Sequence, residues 1–160
     1  RFNGHIATGL VGISILTQWA TQNQEADFVY GMLKKRTYPG YLYMIDHGAT
    51  LTWEEWDGER SQLHNCYNAI GSWFIQALAG ITPDEAAPGY RHFYVRPQLV
   101  KGIDWVKASK DTPYGELSVE WKREGDKLTL DVIVPVGTTA TVVLPNHKEP
   151  IKLTSGKHRI

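Results

Sequence analysis

The sequence predicts an α+β fold in which helical hairpins come first and a small antiparallel β unit follows. Apolar residues recur at helical spacing up to about residue 80, and they alternate with polar residues from about residue 90. The charge divides near the same place, since residues 1–85 hold 5 Lys/Arg and 9 Asp/Glu whereas residues 86–160 hold 12 and 8. Four of the six tryptophans lie in the acidic half. The two halves therefore look like different structural objects.

The composition excludes several functional classes. The 160 residues include 17 basic and 17 acidic side chains, and a net charge of zero argues against nucleic acid or an anionic membrane as partner. A hydrophobic content of 42% argues against disorder. The single cysteine, Cys66, excludes an intrachain disulfide framework and a multi-cysteine zinc site. Because no paired-histidine metal spacing occurs either, no metal or cofactor is expected.

No targeting or membrane segment is expected in this sequence. It contains no signal peptide and no run of about 18 apolar residues. The first residue is not Met, and helical spacing begins almost at once, so we interpret the chain as starting within a longer protein. A soluble protein is predicted, with its compartment left open.

Three helical segments are predicted in the first half. Apolar residues lie close to helical spacing over residues 4–20 and again over residues 24–36. The second segment ends with three cations, where the helix dipole favours positive charge, and a Pro-Gly pair then interrupts the chain. A third apolar stripe predicts a helix over residues 62–80.

Between the second and third helices, residues 37–60 follow neither period. The segment is rich in aromatic and acidic side chains, which suggests a site presented on a long connection.

From residue 90 the period becomes two, and turn residues separate the apolar runs about every ten residues. This spacing predicts an antiparallel sandwich, in which most aromatic residues of the β half are expected in the core. Its predicted strands include residues 93–95, 105–108, 117–121, 128–134 and 139–144.

The densest group of chemically useful side chains is the run from Trp53 to Trp56, where two tryptophans bracket Glu54 and Glu55. Sugar rings present apolar C–H faces and hydroxyl edges, so a site for them needs aromatic planes and carboxylates. Glycoside hydrolysis also uses a pair of carboxylates. The alternative is a turn or helix start with solvated acids and two buried tryptophans, and composition alone favours that alternative.

The histidines give weaker signals. His64 and Asn68 lie four residues apart in the third predicted helix, so they would share a face and could point into the same cavity as the acidic segment. Helix capping by Ser61 and an ordinary structural histidine form the alternative. The pair Asp46-His47 could orient one another, although adjacent residues rarely face each other in regular structure. For each group, the structural interpretation is favoured when it is taken alone.

Several longer runs nevertheless resemble one known family. The runs are HIATGLVG at residues 5–12, YPGYLYMIDHGATLTWEEW at residues 38–56 and HNCYNAIGSWF at residues 64–74. They closely resemble the C-terminal part of the α-L-rhamnosidases of glycoside hydrolase family 78. The resemblance continues at LAGI and TPYG further along and covers nearly the whole chain. Its most specific part is the Gly-Ala-Thr stretch followed by Trp-Glu-x-Trp.

The resemblance implies a fold and a reaction. Residues 1–86 would be the last helices of an (α/α)6 catalytic barrel, and residues 87–160 would be a C-terminal β-sandwich domain. The family's enzymes are inverting hydrolases that release terminal α-L-rhamnose from glycans or glycosides by means of a general acid and a general base. Glu54 takes the position of the base, and Glu55 occupies a variable position.

The resemblance also implies which side chains contact the sugar. A histidine that follows the base contacts the ring region in the family, and His64 or Tyr67 takes that place here. Trp53 and Trp56 are candidate walls of the site. The family's general acid lies well upstream, and nothing in residues 1–53 resembles that segment. The remainder of the barrel is therefore an expected partner, and this chain alone is expected to be inactive.

Two other functions stay open on the sequence. The piece could be a non-catalytic carbohydrate-binding or structural module whose aromatic residues pack rather than catalyse. The parent protein could also be a hydrolase of the same barrel that acts on a different sugar.

Overall fold

The structure is a computed structural model that describes residues 3–65, 67–145 and 147–160. The chain divides into two units, Arg1–Trp73, which we call the helical unit, and Phe74–Ile160, which we call the β unit. The domain boundary expected after residue 86 stays a prediction, and the two units divide earlier in the chain. Cys66 lies outside the described residues. Within the described ranges, no helix combines the length and apolarity needed to cross a bilayer.

The helical unit consists of short helices joined by irregular segments. In its described residues these are α1 (Leu10–Gln22), α2 (Ala26–Leu33), α3 (Tyr41–Asp46), a 3-10 turn (Asn68–Ile70) and α4 (Gly71–Trp73). Helix α1 buries Ile13, Thr17 and Ala20, which share one face. It begins later than residue 4 because Asn3 and Gly4 have φ angles of 47° and 76°, which a right-handed helix does not accept.

The prediction of one helix over residues 62–80 is wrong in its first third. The chain becomes helical only at Asn68, because the His64 backbone N–H donates to the Thr52 carbonyl instead of to a residue one turn earlier. From Asn68 the chain passes through the 3-10 turn and α4 into a π-helical stretch, Phe74–Leu78. His64 and Asn68 therefore do not share a helix face.

In its described residues, 74–145 and 147–160, the β unit consists of two four-stranded sheets. Its strands are β1 (Ile81–Pro83), β2 (His92–Val95), β3 (Trp105–Thr112), β4 (Gly115–Glu124), β5 (Lys127–Val134), β6 (Thr139–Val142), β7 (Ile151–Leu153) and β8 (Gly156–Arg159). The strand orders are β1-β2-β6-β7 and β3-β4-β5-β8. Neighbouring strands are antiparallel except β2 and β6, which are parallel. The predicted order of helices followed by a β-sandwich is confirmed, with one parallel pair added.

The core of the β unit follows from the period of two. Phe93 and Trp121 are fully buried, and the Trp121 indole N–H donates to the Leu78 carbonyl over 2.8 Å, so its polar atom is satisfied. Trp105 departs from the prediction because it is 66% exposed. Strand register explains this, since Val106 is the β3 residue that pairs with Trp121 and shares its face.

Candidate functional site

The predicted base lies on a loop that is closed by backbone hydrogen bonds. We call residues 52–64 the Glu54 loop; they contain neither helix nor strand. The Glu54 backbone N–H donates to the Ser61 carbonyl over 2.8 Å, and the His64 N–H donates to the Thr52 carbonyl over 2.9 Å. The Thr52 hydroxyl donates back to the His64 carbonyl. Glu54 and His64, which the sequence placed on different elements, are thus held in one backbone frame.

The two adjacent carboxylates of the loop have different surroundings. Glu55 Oε1 pairs with Arg60 Nε at 3.0 Å, with both side chains exposed. Glu54, like Glu55, is partly buried as a whole residue, and its Oε2 accepts a long hydrogen bond of 3.4 Å from the Ser61 N–H. A 3.4 Å contact is weak. The Glu54 carboxylate therefore keeps capacity to accept further protons or hydrogen bonds, whereas Glu55 already faces a cation.

Trp56, which belongs to the Glu54 loop, packs in a cluster with two aromatic rings from outside the loop. Trp56 stacks on Tyr67 with ring centroids 4.0 Å apart and an interplanar angle of 19°, and it meets the edge of Tyr41 at 5.2 Å. The Trp56 indole N–H points at the Thr8 carbonyl, 3.4 Å away. Each of these rings is at most 9% exposed. The cluster connects the Glu54 loop to α3 and to the segment before α1.

A buried hydrogen bond joins Tyr41 and Tyr67 within this cluster. The Tyr41 hydroxyl donates to the Tyr67 carbonyl over 2.8 Å. Burial, and then the neighbouring Tyr67, raise the pKa of Tyr41 well above its usual value of 10. Its hydroxyl therefore stays protonated and remains a donor. The sequence carries no signal for this role of Tyr41, because nothing in the local pattern shows that its side chain contacts the segment near residue 67.

Trp53 packs onto the turn of its own loop. Gly58 has a φ of 76°, and a side-chain carbon added there would lie 2.8 Å from the Trp53 ring. Only glycine accepts both the positive φ and this close approach. Trp53 is 4% exposed. The six-membered ring of its indole thus lies close to the backbone at Gly58.

The structure brings most of the candidate sugar contacts together, but as packed side chains. Trp56 and Tyr67 are in direct contact, and Trp53, Trp56 and Tyr67 are all buried. Only a small part of each ring can reach a ligand. His64 is partly buried and follows Glu54 within the same loop. The assignment of these four residues to sugar binding stays a prediction.

The suggested pair of Asp46 and His47 does not form. Asp46 Oδ1 pairs with Arg36 at 2.5 Å. His47 Nδ1 bonds to the Tyr43 carbonyl over 2.8 Å, and its ring lies 4.0 Å from the Tyr43 ring. Both side chains therefore have partners elsewhere, as the structural interpretation of the sequence expected.

The β unit presents a polar trough of about 500 Å³ on the outer face of its β3-β4-β5-β8 sheet. Its charges compensate in pairs: Lys107 Nζ lies 3.3 Å from Glu120, and Arg159 makes two 2.8 Å bonds to Asp131. This open face, whose charges balance, resembles a solvated sheet surface. In the described part of the chain, no group of three or more metal-ligating side chains occurs.

Family models match both halves of the chain. Residues 1–78 match the model described as bacterial alpha-L-rhamnosidase 6 hairpin glycosidase domain. Residues 80–159 match the model described as bacterial alpha-L-rhamnosidase C-terminal domain.

Individual relatives cover the chain almost completely. An alpha-L-rhamnosidase of Alteromonas sp. is 32% identical over 96% of the chain, and one of Streptomyces avermitilis is 31% identical over 95%. The chain spans 18% and 16% of those two proteins.

Solved structures of α-L-rhamnosidases are also similar to the chain. The native α-L-rhamnosidase of Aspergillus terreus covers 99% of the chain with a TM-score of 0.89 and 29% identity. The Streptomyces avermitilis α-L-rhamnosidase complexed with L-rhamnose covers 98% with the same TM-score and identity. The chain covers 20% and 18% of these two structures.

Proposed function

We propose, since the chain belongs to the bacterial α-L-rhamnosidase family, that it forms part of an inverting glycoside hydrolase. The substrate would be a glycan or glycoside with a terminal α-L-rhamnose, which the enzyme releases. Because the chain spans less than a fifth of its curated relatives, the remainder of the catalytic barrel is a proposed partner. That remainder would supply the general acid.

Glu54 is the proposed general base, and the contrast with Glu55 carries the proposal. A base must take a proton from water, so its carboxylate must keep a free acceptor position. Glu54 accepts one weak bond from Ser61, whereas Glu55 is paired with Arg60. In an inverting enzyme the base activates water on the face opposite the leaving group, with the two carboxyls roughly 6.5–9.5 Å apart.

The remaining roles concern the sugar itself. Trp53, Trp56 and Tyr67 would line the site with their ring edges, and His64 would hydrogen-bond near the ring. The support for His64 is its place in the closed Glu54 loop, where its backbone N–H donates to the Thr52 carbonyl and its carbonyl accepts from the Thr52 hydroxyl. Rigid placement of such groups is what lowers the entropic cost of positioning a substrate.

The test is Glu54→Gln in the full-length protein that carries these residues, assayed on an aryl α-L-rhamnoside. Loss of an acid–base catalyst typically lowers kcat by about 10²–10⁴, so we expect a loss in that range. Glu55→Gln is the matched control, and it should retain activity within about threefold. If Glu54→Gln also stays within about threefold, Glu54 is not the base. A panel of aryl glycosides would show whether another sugar is preferred.

The burial of the aromatic residues favours one alternative, a structural or carbohydrate-binding module without catalysis. The rings of Trp56 and Tyr67 stack on each other, as side chains with a packing role do. Titration of the 160-residue chain with rhamnose separates the two proposals. Binding by this chain alone would favour a module, whereas absence of binding agrees with a site completed by the rest of the barrel.

A further inference from the structure

Thr52 joins three parts of the helical unit that lie apart in the sequence. Its hydroxyl donates to the His64 carbonyl, and the His64 N–H donates to the Thr52 carbonyl over 2.9 Å. The same hydroxyl lies 2.7 Å from the terminal amide of Asn68, the first residue of the 3-10 turn that leads into α4. Thr52 therefore connects the start of the Glu54 loop with its end and with the helical turn beyond it.

The hydroxyl proton of Thr52 can serve only one of its two neighbours. A threonine hydroxyl has one proton and two lone pairs, whereas a carboxamide offers both an acceptor oxygen and a donor NH2 group. All three groups are satisfied when Thr52 donates to the His64 carbonyl and the Asn68 amide turns its NH2 group toward Thr52. Asn68 thereby directs the hydroxyl proton toward His64.

Glu54 is held by a different set of bonds. Its backbone N–H donates to the Ser61 carbonyl over 2.8 Å, and its Oε2 accepts from the Ser61 N–H. The bonds of the Thr52 hydroxyl go to His64 and Asn68 instead. Loss of that hydroxyl should therefore disturb the placement of His64 and leave the surroundings of the Glu54 carboxylate largely intact.

We propose that Thr52 is a positioning residue for substrate binding and that it acts through His64. The inference rests on the proposed function, in which His64 hydrogen-bonds near the sugar ring. One residue fixes both the N–H and the carbonyl of His64, so its imidazole has fewer positions to sample before the sugar binds. Binding then costs less conformational entropy. This role requires no contact between Thr52 and the substrate.

Kinetics of the full-length protein on an aryl α-L-rhamnoside test this role. Thr52→Val keeps the shape of the side chain but removes the hydroxyl, and we expect the KM to rise roughly tenfold while kcat stays within about threefold and its pH profile is unchanged. Thr52→Ser keeps the hydroxyl and should restore the KM of the parent protein. Thr129→Val, on β5 of the β unit, is the matched control and should leave both constants unchanged.

The KM does not depend on the fraction of protein that is folded, so misfolding alone cannot produce the expected result. An unchanged KM in Thr52→Val would overturn the proposal, as would a raised KM that Thr52→Ser does not restore. A loss that lies mainly in kcat would place the effect at Glu54 and would overturn it as well.

A His64→Ala background separates this inference from the proposed function. In that background Thr52→Val should raise the KM no further, because its effect passes through the missing imidazole. A further rise of the same size would overturn the proposal. If His64→Ala alone leaves the KM unchanged, the proposed sugar contact fails and this role of Thr52 fails with it. A raised KM in His64→Ala but not in Thr52→Val refutes the role of Thr52 alone.

Hydrogen exchange at the His64 amide gives a readout that does not depend on turnover. Mass spectrometry of the full-length variants should show faster exchange in Thr52→Val than in Thr52→Ser, because the hydroxyl no longer holds the His64 carbonyl. Equal exchange rates would overturn the proposal even in a protein without rhamnosidase activity.

Discussion

The helical unit and the β unit differ in how completely they bury their apolar side chains. Among the described residues, the β unit contains a core of thirteen buried residues, and most of them are fully buried. In the same described ranges, nine of the large apolar side chains that remain exposed lie in the helical unit, compared with four in the longer β unit. The β unit therefore supplies its own stabilising burial, whereas the helical unit carries apolar surface that its own residues do not cover.

The two units also differ in where regular structure and the candidate functional residues lie. In the β unit, period-two alternation and strand register determine which side faces inward. In the helical unit, the proposed base lies on an irregular loop held by backbone hydrogen bonds. Function is thus assigned to the part of the chain whose conformation depends most on tertiary contacts.

We expect the largest effect on stability from Trp121→Ala in the β unit. The substitution removes a fully buried ring and leaves the Leu78 carbonyl without its donor. Such changes cost about 3–5 kcal/mol, so we expect the free energy of unfolding of the β unit to fall by about that amount and its urea midpoint to fall with it. Urea unfolding of the chain, followed by near-ultraviolet circular dichroism, measures the loss. Trp105→Ala, at an exposed position on the same sheet, is the control and should cost less than about 1 kcal/mol.

Gly58→Ala makes the corresponding test in the helical unit. The added carbon would lie 2.8 Å from the Trp53 ring at a φ of 76°, so the Glu54 loop must rearrange. We expect a cost of about 1–3 kcal/mol in stability and a clear loss of kcat in the full-length protein. Gly48→Ala is the control, since Gly48 has a φ of 86° but no neighbour within 4 Å. Equal activity of both variants would mean that close packing of Trp53 does not hold the loop.

Tyr41→Phe should have the smallest effect and a characteristic pH dependence. Loss of the buried bond to the Tyr67 carbonyl costs about 1–2 kcal/mol at neutral pH. Because the pKa of Tyr41 is raised in the folded state, its contribution is fully present below about pH 10 and is lost as the pH rises beyond that value. The difference in urea midpoint between the parent chain and the variant should therefore shrink above pH 10. A constant difference up to pH 12 would contradict this assignment.

Much of the fold could be predicted from the sequence because the local patterns were long and periodic. Helices α1 and α2 and strands β2 to β6 all lie where apolar periodicity placed them. Strands β1, β7 and β8 were missed because β1 and β7 have only three residues each and β8 contains no apolar residue, so none of them forms an apolar run. The helix expected from residue 62 failed because cross-loop bonds to Thr52 replaced the first helical turn.

The sequence by itself determined the order of the two units, the candidate base Glu54 and the family, since these depend on residue types and spacing along the chain. Only the tertiary structure decided that Glu55 is paired with Arg60, that Gly58 lies close to the Trp53 ring, and that Tyr41 contacts Tyr67. Those contacts join residues up to 26 positions apart. Side chains that meet only after folding leave no periodic signal in the sequence.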